Sequence, residues 1–507
     1  MEVNIHRKKR FLRIVRNTIN IAIVMVVVSI LSACQGVNQV APIQAAQPGA
    51  STAAASDATS MPISLATPVR VASASRGYLT TPQELAVIKT KADQGIEPYK
   101  SAVADVLSWA DKRWDYTLEA QVSCPNADEP AWNDNSGGTA ILYAKALAYH
   151  LTNDSHYADD VKDILQRIMT EVKTIPDGDD VLNRQCALNF AWGTPEMVAA
   201  ADLIEGYWSN QTCTGSMSTI HTDTTIGVGK CKVLFQNWLV KNPYYVASKP
   251  AQGSRSNWGA AATNTTAYIA DYLWDRPDVL LVYRNPPQIN NGQDAAMHPS
   301  EAYAHANKLA LERMNGYGVD YGSNSCDYLG NKQQSQEWPS VKSQITEKGI
   351  IPEDARREEY CNIPQYNGEY QNYPQLHLGN NIEQCELMLR RKDSSCYDNV
   401  AMNDIPNYTF VDPSGETRTT HLYPGRGSIE RAIKAIIVDS HTKWSHDPAL
   451  ELAYRYYFNH HTLPGFDQWF AQLDKRTGCS QDICFGTLTH GFAVGEIPGP
   501  PPTVSPP

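Results

Sequence analysis

The chain has 507 residues, 42% of them hydrophobic and 19% charged, which suits one large globular domain or two ordinary ones and excludes a disordered or fibrous chain. Its formal net charge of −11 argues against a nucleic-acid partner, which leaves a basic footprint on the protein that binds it. Any site for an acidic polymer must then be a local basic patch on an acidic background.

The first residues read as an address rather than as fold. A basic stretch, His6-Arg7-Lys8-Lys9-Arg10, precedes an apolar run from Ile21 to Leu31 that is short for a membrane span and laid out like an export signal. Its end, Leu31-Ser32-Ala33-Cys34, resembles the bacterial lipobox. That resemblance implies a signal peptide over residues 1–33, cleavage before Cys34 and lipid on the Cys34 sulfur. An uncleaved N-terminal anchor helix is the alternative, and either places the remainder outside the cytoplasm, in the periplasm or anchored at the outer membrane. Gln35 in place of an aspartate after the cysteine favours the outer membrane. Residues 34–75 are rich in Ala, Ser, Gln, Thr and Pro with almost no charge, and read as a flexible tether. No other contact with a membrane is expected, and the protein is expected to be a monomer.

From there the pattern is helical. Thr81-Pro82-Gln83-Glu84-Leu85 is a start signal: a Thr cap, Pro in the first turn, Glu at the third position. An Ala- and Leu-rich helix is predicted from Ala140 to His150. After a break at Thr152-Asn153-Asp154, a second runs from His156 to Val172. Further helices are predicted over Pro195 to Tyr207, Cys231 to Val240 and Ala260 to Leu273, with a last pair over Ser428 to Val438 and Pro448 to Phe458. Alternating strand patterns are scarce. Antiparallel helix pairs with short loops over about 420 residues suggest an all-α solenoid or closed (α/α) toroid, assigned to residues 76–496. Asn315 to Asn372 differs, being polar and rich in Gly, Asn and Tyr, as functional segments often are. Residues 497–507 read as a disordered, proline-rich tail.

Eleven cysteines less Cys34 leave ten, an even number that in an exported chain reads as up to five disulfides. Cys213 with Cys231, Cys385 with Cys396 and Cys479 with Cys484 would close short loops, though sequence alone leaves the connectivity open. There is no CxxC cluster and no HExxH, so neither a metal nor a cofactor is expected.

Several stretches resemble the alginate-lyase-type polysaccharide lyases. Gly77-Tyr78-Leu79-Thr80-Thr81-Pro82 with Glu97-Pro98-Tyr99-Lys100 is similar to that family's opening, and Ala148-Tyr149-His150-Leu151-Thr152-Asn153-Asp154 with Tyr157-Ala158 to its second helical pair. Phe235-Gln236-Asn237-Trp238-Leu239 followed by Ser256-Asn257-Trp258-Gly259 resembles its central motif. Gly349-Ile350-Ile351-Pro352-Glu353-Asp354 with Arg356-Arg357 resembles the approach to its catalytic tyrosine. Gly427-Ser428-Ile429-Glu430-Arg431-Ala432-Ile433, Trp444 and Glu451-Leu452-Ala453-Tyr454 resemble its closing helices. Order and spacing over roughly residues 77–460, not any single motif, make the likeness. It implies an (α/α) toroid, complete or an incomplete barrel, with a cleft across one end. It also implies β-elimination on an acidic, uronate-containing polysaccharide such as alginate or glucuronan.

That reaction sets the residues to look for. The proton at C5 of a uronate is weakly acidic beside an ionised carboxylate, so the enzyme must neutralise the carboxylate, remove the proton and protonate the departing oxygen at C4. Asn257 lies where a helix begins, and by resemblance is the carboxylate-binding asparagine; a plain helix cap is the bland reading. A histidine follows that asparagine in the family, but here Trp258 does, either stacking on a sugar or packing in the core. Tyr373 precedes Pro374, which belongs in a first helical turn, so Tyr373 sits at a helix mouth, with Leu376, Leu378, Ile382 and Cys385 on the buried face. It matches the family's catalytic tyrosine, with Tyr370 as runner-up. Tyrosine ionises near pH ~10 in water, so a cation is wanted nearby. Arg357 is favoured over Arg356 for that role. His377, one turn after Tyr373, is a candidate to replace the missing histidine as base or neutraliser, or is a hydrogen-bonded histidine between helices. His298 and His421 are lesser candidates. Arg426 and Arg431 line the cleft or decorate a helix, and Tyr303, Tyr317 and Tyr321 are candidates for stacking on sugar.

Two other functions fit the same helices. A glycoside hydrolase needs two carboxylates across the scissile bond. Glu353, Asp354, Glu358 and Glu359 supply acids, but read as a solvated helix face. A non-catalytic outer-membrane lipoprotein that captures glycans fits the lipobox and length, but has no use for Arg357 and Tyr373 together.

Overall fold

The computed structural model describes residues 75–122, 137–177, 181–254, 256–285, 292–314, 354, 372–398, 408–411, 417–420, 429–434, 447–460, 470, 479 and 483–504. Cys34, Arg356, Arg357, Tyr370, Arg426, Tyr317, Tyr321 and His421 lie outside them, as do the leader and the tether except its last residue, Ser75, whose hydroxyl donates to Asp202 Oδ2 at 2.5 Å and so belongs to the fold.

The described part is helix-rich. α1 (Pro82–Asp93) starts as its sequence dictates, with an extended Thr81 whose hydroxyl accepts from the Glu84 N–H at 3.2 Å. α2 (Tyr99–Ala110), α3 (Gly138–Thr152) and α4 (Ser155–Glu171) follow. Between α3 and α4 the chain turns on Asn153, left-handed at φ 63°, and on Asp154, whose carboxylate accepts from the His156 N–H. α5 (Val181–Leu203) corrects the sequence reading, which began this helix at Pro195; Pro195 lies inside it. Proline has no N–H, so the Ala191 carbonyl one turn back loses its helical partner. The Thr265 hydroxyl donates to that carbonyl at 2.5 Å from a neighbouring helix, making good the loss. Thr265→Val, which keeps the shape and removes the donor, is expected to lower stability by about 1–3 kcal/mol in denaturant titrations. An unchanged midpoint would mean that Ala191 finds another partner.

After the short α6 (Glu205–Trp208) come an antiparallel hairpin, β1 (Thr212–Ser216) with β2 (Ile226–Lys230), and α7 (Cys231–Leu239). A π-helical turn (Val240–Tyr244) joins α7 to α8 (Tyr245–Gly253). α9 (Asn257–Tyr272), a small hairpin of β3 (Leu281–Tyr283) and β4 (Ala295–Met297), and α10 (Pro299–Met314) lead to α11 (Asn372–Arg390). The described remainder is α12 (Ser395–Asp398), the hairpin β5 (Tyr408–Val411) with β6 (Thr417–Thr420), α13 (Ile429–Lys434), α14 (Asp447–Tyr457) and α15 (Gly486–His490).

Two kinds of helix alternate. α4 is amphipathic, burying Tyr157, Ala158, Val161, Ile164, Leu165, Ile168 and Met169 on one stripe. α3 and α9 are buried along nearly their whole length. α9 tolerates this because its run Gly259-Ala260-Ala261-Ala262-Thr263 is small on every side, letting α5, α8, α10 and α11 close around it. Packing runs α2, α3, α5, α9, α11, α14, α15 and back to α2. The three short-loop disulfides form as the spacing suggested, Cys213 with Cys231, Cys385 with Cys396 and Cys479 with Cys484, and Cys186 is also disulfide-bonded.

Ion pairs knit the buried ends of α9 and α11. Burial alone would raise the Asp271 carboxyl, but Arg391 and Arg76 each grip it with two nitrogens and hold it well below the usual range. Burial likewise opposes ionisation of Glu386, which His490 and Arg390 nonetheless draw down to about 2. A depressed carboxyl stabilises the fold at pH above its unfolded value, about 4.3, and that stabilisation is lost as pH falls towards the folded value. Unfolding free energy should therefore drop by roughly 3 kcal/mol for Glu386 between pH ~4.3 and ~2. The fall should be shallower in Glu386→Gln, and equal slopes would contradict the assignment. The C-terminal segment, expected to be disordered from residue 497, is described as far as Val504, whose N–H donates to the Arg390 carbonyl at 2.9 Å.

Candidate active site

The mouth of α9 is built by its neighbours. The carbonyl of Ser254 lies so close to Gly259 that a Cβ there would meet the oxygen at 2.0 Å, so only glycine admits this approach. Ser256 is extended, and its carbonyl accepts from the N–H groups of Gly259 and Ala260, at 2.8 and 3.2 Å. Ser256 is therefore the cap, and Asn257, for which a plain cap was the bland alternative, is the first helical residue. Asn257 is buried, and its backbone N–H donates to Asp354 Oδ1 at 3.0 Å.

Asp354 corrects a second expectation. Read as part of a solvated acidic face, it is 0% exposed. Its burial follows from its partners: Oδ1 accepts the N–H at the positive end of α9, and Oδ2 pairs with His377 Nδ1 at 2.7 Å. An ionised carboxylate only accepts, so in this pairing the imidazole donates from Nδ1 and Nε2 is the ring's remaining polar atom. His377 is itself buried between helices, as the bland reading allowed, but its partner is a carboxylate that also holds the α9 mouth.

Tyr373 is the second residue of α11, followed by Pro374 in the first turn, as the sequence indicated. One turn separates it from His377, so the two share a helical face. Tyr373 and Trp258 are both half-buried, resting on one apolar floor of Leu188, Ala191, Trp192, Ala261 and Leu376 from α5, α9 and α11. Asn257, Asp354, His377, Trp258 and Tyr373 thus gather where α9 and α11 open.

Other tyrosines are removed from contention by burial. Tyr143, Tyr268 and Tyr303 are buried, and loss of solvation pushes their hydroxyls far above the ordinary phenol range, with Glu383 adding to the effect on Tyr268 and Asp271 to that on Tyr303. Tyr303, a candidate for stacking on sugar, is therefore a core residue. His298 is exposed, its Nδ1 paired with the Pro277 carbonyl at 3.1 Å rather than with Asp354.

The structure adds residues that the sequence reading passed over. On α5, Gln185, Asn189 and Trp192 follow at i, i+4 and i+7, a polar stripe on an otherwise Ala- and Leu-rich helix. Gln185 Nε2 donates to Asn189 Oδ1 at 2.9 Å. Asn189 Nδ2 and Trp192 Nε1 are buried donors with no hydrogen-bond partner among the described residues. That spacing was the available signal. Trp192 belongs to the floor beneath Tyr373 and Trp258, so the donors of this stripe flank the same mouth.

No protein-family model matches the sequence, and no curated protein matches it. Among solved structures, an alginate lyase from Bacteroides ovatus resembles the chain with a TM-score of 0.41 and 16% sequence identity, over 83% of this chain and 99% of that one. An overlap this loose carries neither the fold nor the activity across to the present chain.

Proposed function

We propose that this chain is a polysaccharide lyase that cleaves a uronate polymer of the alginate or glucuronan kind by β-elimination, on an (α/α) toroid. The observation that carries the reading is Asp354, which joins the first residue of α9 to His377 one turn below Tyr373. In this reading, polar donors and a phenol drawn from α9 and α11 serve the neutralisation of a carboxylate and the transfer of a proton that the reaction requires. The packing order that returns from α15 to α2 supports the toroid.

In this reading Asn257 and His377 hold the carboxylate of the sugar, with Arg357 supplying positive charge. Tyr373 takes the proton from C5. The C5–H electron pair becomes the C4=C5 double bond as the C4–O bond breaks, and the departing oxygen takes a proton, from Tyr373 or from water. Trp258 stacks on a neighbouring sugar, and Arg356, Tyr370 and Arg426 complete the cleft. His377 as base, with Tyr373 as acid, is the alternative division of labour. The export leader, lipid on Cys34 and a periplasmic or outer-membrane address belong to the same proposal, with the residues from Cys34 up to Ser75 as tether.

The test is to incubate the protein, lacking its first 35 residues, with a panel of uronate polymers and follow absorbance near the ultraviolet edge. A lyase yields an unsaturated uronate that absorbs there. New reducing ends without that absorbance would instead mean a hydrolase, and binding without turnover a glycan-capturing lipoprotein.

A further inference from the structure

Arg313, at the C-terminal end of α10, is 2% exposed, and its guanidinium reaches three oxygens on two other segments. Nη1 donates to Thr263 Oγ1 at 2.9 Å, and Nη2 to the Ala251 carbonyl at 2.8 Å and the Ser254 carbonyl at 3.3 Å. Ala251 and Ser254 are at the end of α8 and just beyond it, where carbonyls lack helical partners and the helix end is negative. Thr263 in turn donates its own proton to the Gly259 carbonyl at 2.6 Å, which leaves the oxygen lone pairs to accept from Arg313.

The Ser254 carbonyl is thus held from both sides. Gly259 allows the Ser254 carbonyl to lie against the first turn of α9, and Arg313 grips that same carbonyl and the first turn through Thr263. Ser254 and Ser256 also pair through their hydroxyls at 3.1 Å, so where Ser254 rests bears on where the Asn257 N–H points, and that N–H is one of the two described partners of Asp354, the other being His377. We propose that Arg313 is a positioning residue: a buried bracket that sets the Asn257–Asp354–His377 geometry without touching the reacting sugar. A planar fork suits this task, because it sets two donor nitrogens at a fixed spacing, one on Thr263 and one on the Ala251 and Ser254 carbonyls, where an ammonium offers a single nitrogen on a flexible stem. The proposal rests on the lyase reading for its kinetic consequence, but its structural consequence can be measured without it.

The experiment compares Arg313→Lys, Thr263→Val and Thr263→Ser with the parent protein, below the unfolding transition of each. The first readout is the ¹⁵N resonances of the His377 ring, with His150, bonded to the Leu203 carbonyl at 2.7 Å, as an internal control. Arg313→Lys and Thr263→Val should shift the His377 signals and leave His150 in place, and Thr263→Ser, which keeps the hydroxyl, should restore them. The second is turnover on the polymer that the parent cleaves. Arg313→Lys should lower kcat by about 10- to 100-fold, with KM within about twofold, since a misplacement of ~1 Å is enough for such a loss. Thr263→Val should show a smaller fall that Thr263→Ser reverses. Unshifted His377 signals in both Arg313→Lys and Thr263→Val overturn the proposal, as does parental kcat per folded molecule in an active preparation. Shifted, serine-rescued signals in a protein that cleaves no uronate polymer would uphold the bracket and count against the lyase reading alone.

Discussion

Asp354→Asn is expected to lower kcat on a uronate polymer by about 10³-fold, within the range by which a misoriented acid–base group slows proton transfer. The carboxylate accepts twice, from the Asn257 N–H and from the His377 ring. An amide of the same shape offers one acceptor and one donor. If its oxygen keeps the Asn257 N–H, its NH₂ faces His377 Nδ1 and drives the ring proton to Nε2, inverting the tautomer. If its oxygen turns to His377, two donors collide at the mouth of α9. The second outcome leaves buried donors unpaired, so where it prevails stability should fall by about 1–3 kcal/mol. Rates should therefore be normalised to the folded fraction by circular dichroism. A rate within about threefold of the parent would remove Asp354 and His377 from the chemistry.

Tyr373→Phe is expected to abolish turnover, by at least about 10³-fold, and to leave the fold intact. The phenyl ring keeps its seat on Leu188, Trp192, Ala261 and Leu376, and a half-buried hydroxyl at a helix mouth is not the sort of group whose loss unfolds a protein. The loss should fall on kcat, with polymer binding retained. A parental rate in this variant would transfer the role to His377 or Tyr370. The buried tyrosines offer no such substitute, because desolvation keeps the hydroxyls of Tyr143, Tyr268 and Tyr303 protonated far beyond physiological pH.

The helices were legible wherever one local rule decided them. Thr81 and Pro82 announced α1, Asn153 and Asp154 announced the turn into α4, and the apolar stripe of α4 announced its buried face. Pro195 misled for a physical reason: its missing N–H would break an isolated helix, and the hydroxyl that compensates for it, Thr265, is supplied by another helix 70 positions on, from 195 to 265. The site divides the same way. Tyr373 could be placed at a helix mouth from Pro374 alone, and His377 from the helical period. Asp354 could not be recognised, because an acid in a run of acids looks solvated until its partners, Asn257 and His377, are known. Trp192 and Asn189 carried a visible spacing, but donors on a buried helix more often serve packing than ligands.

The point at which the chain enters the fold has a mechanical consequence. Asp202 accepts from the Ser75 hydroxyl and from the N–H groups of Arg76 and Gly77, Arg76 grips Asp271, and Arg391 holds the carbonyls of Arg76 and Gly77. Tension arriving from upstream meets a charged knot within three residues and is spent there, before it can peel α1 from its neighbours. Trimming from Ser75 to Leu79 should unpick the knot and loosen α9 and α11 together, which a lower melting temperature than that of a chain beginning at Ser75 would show.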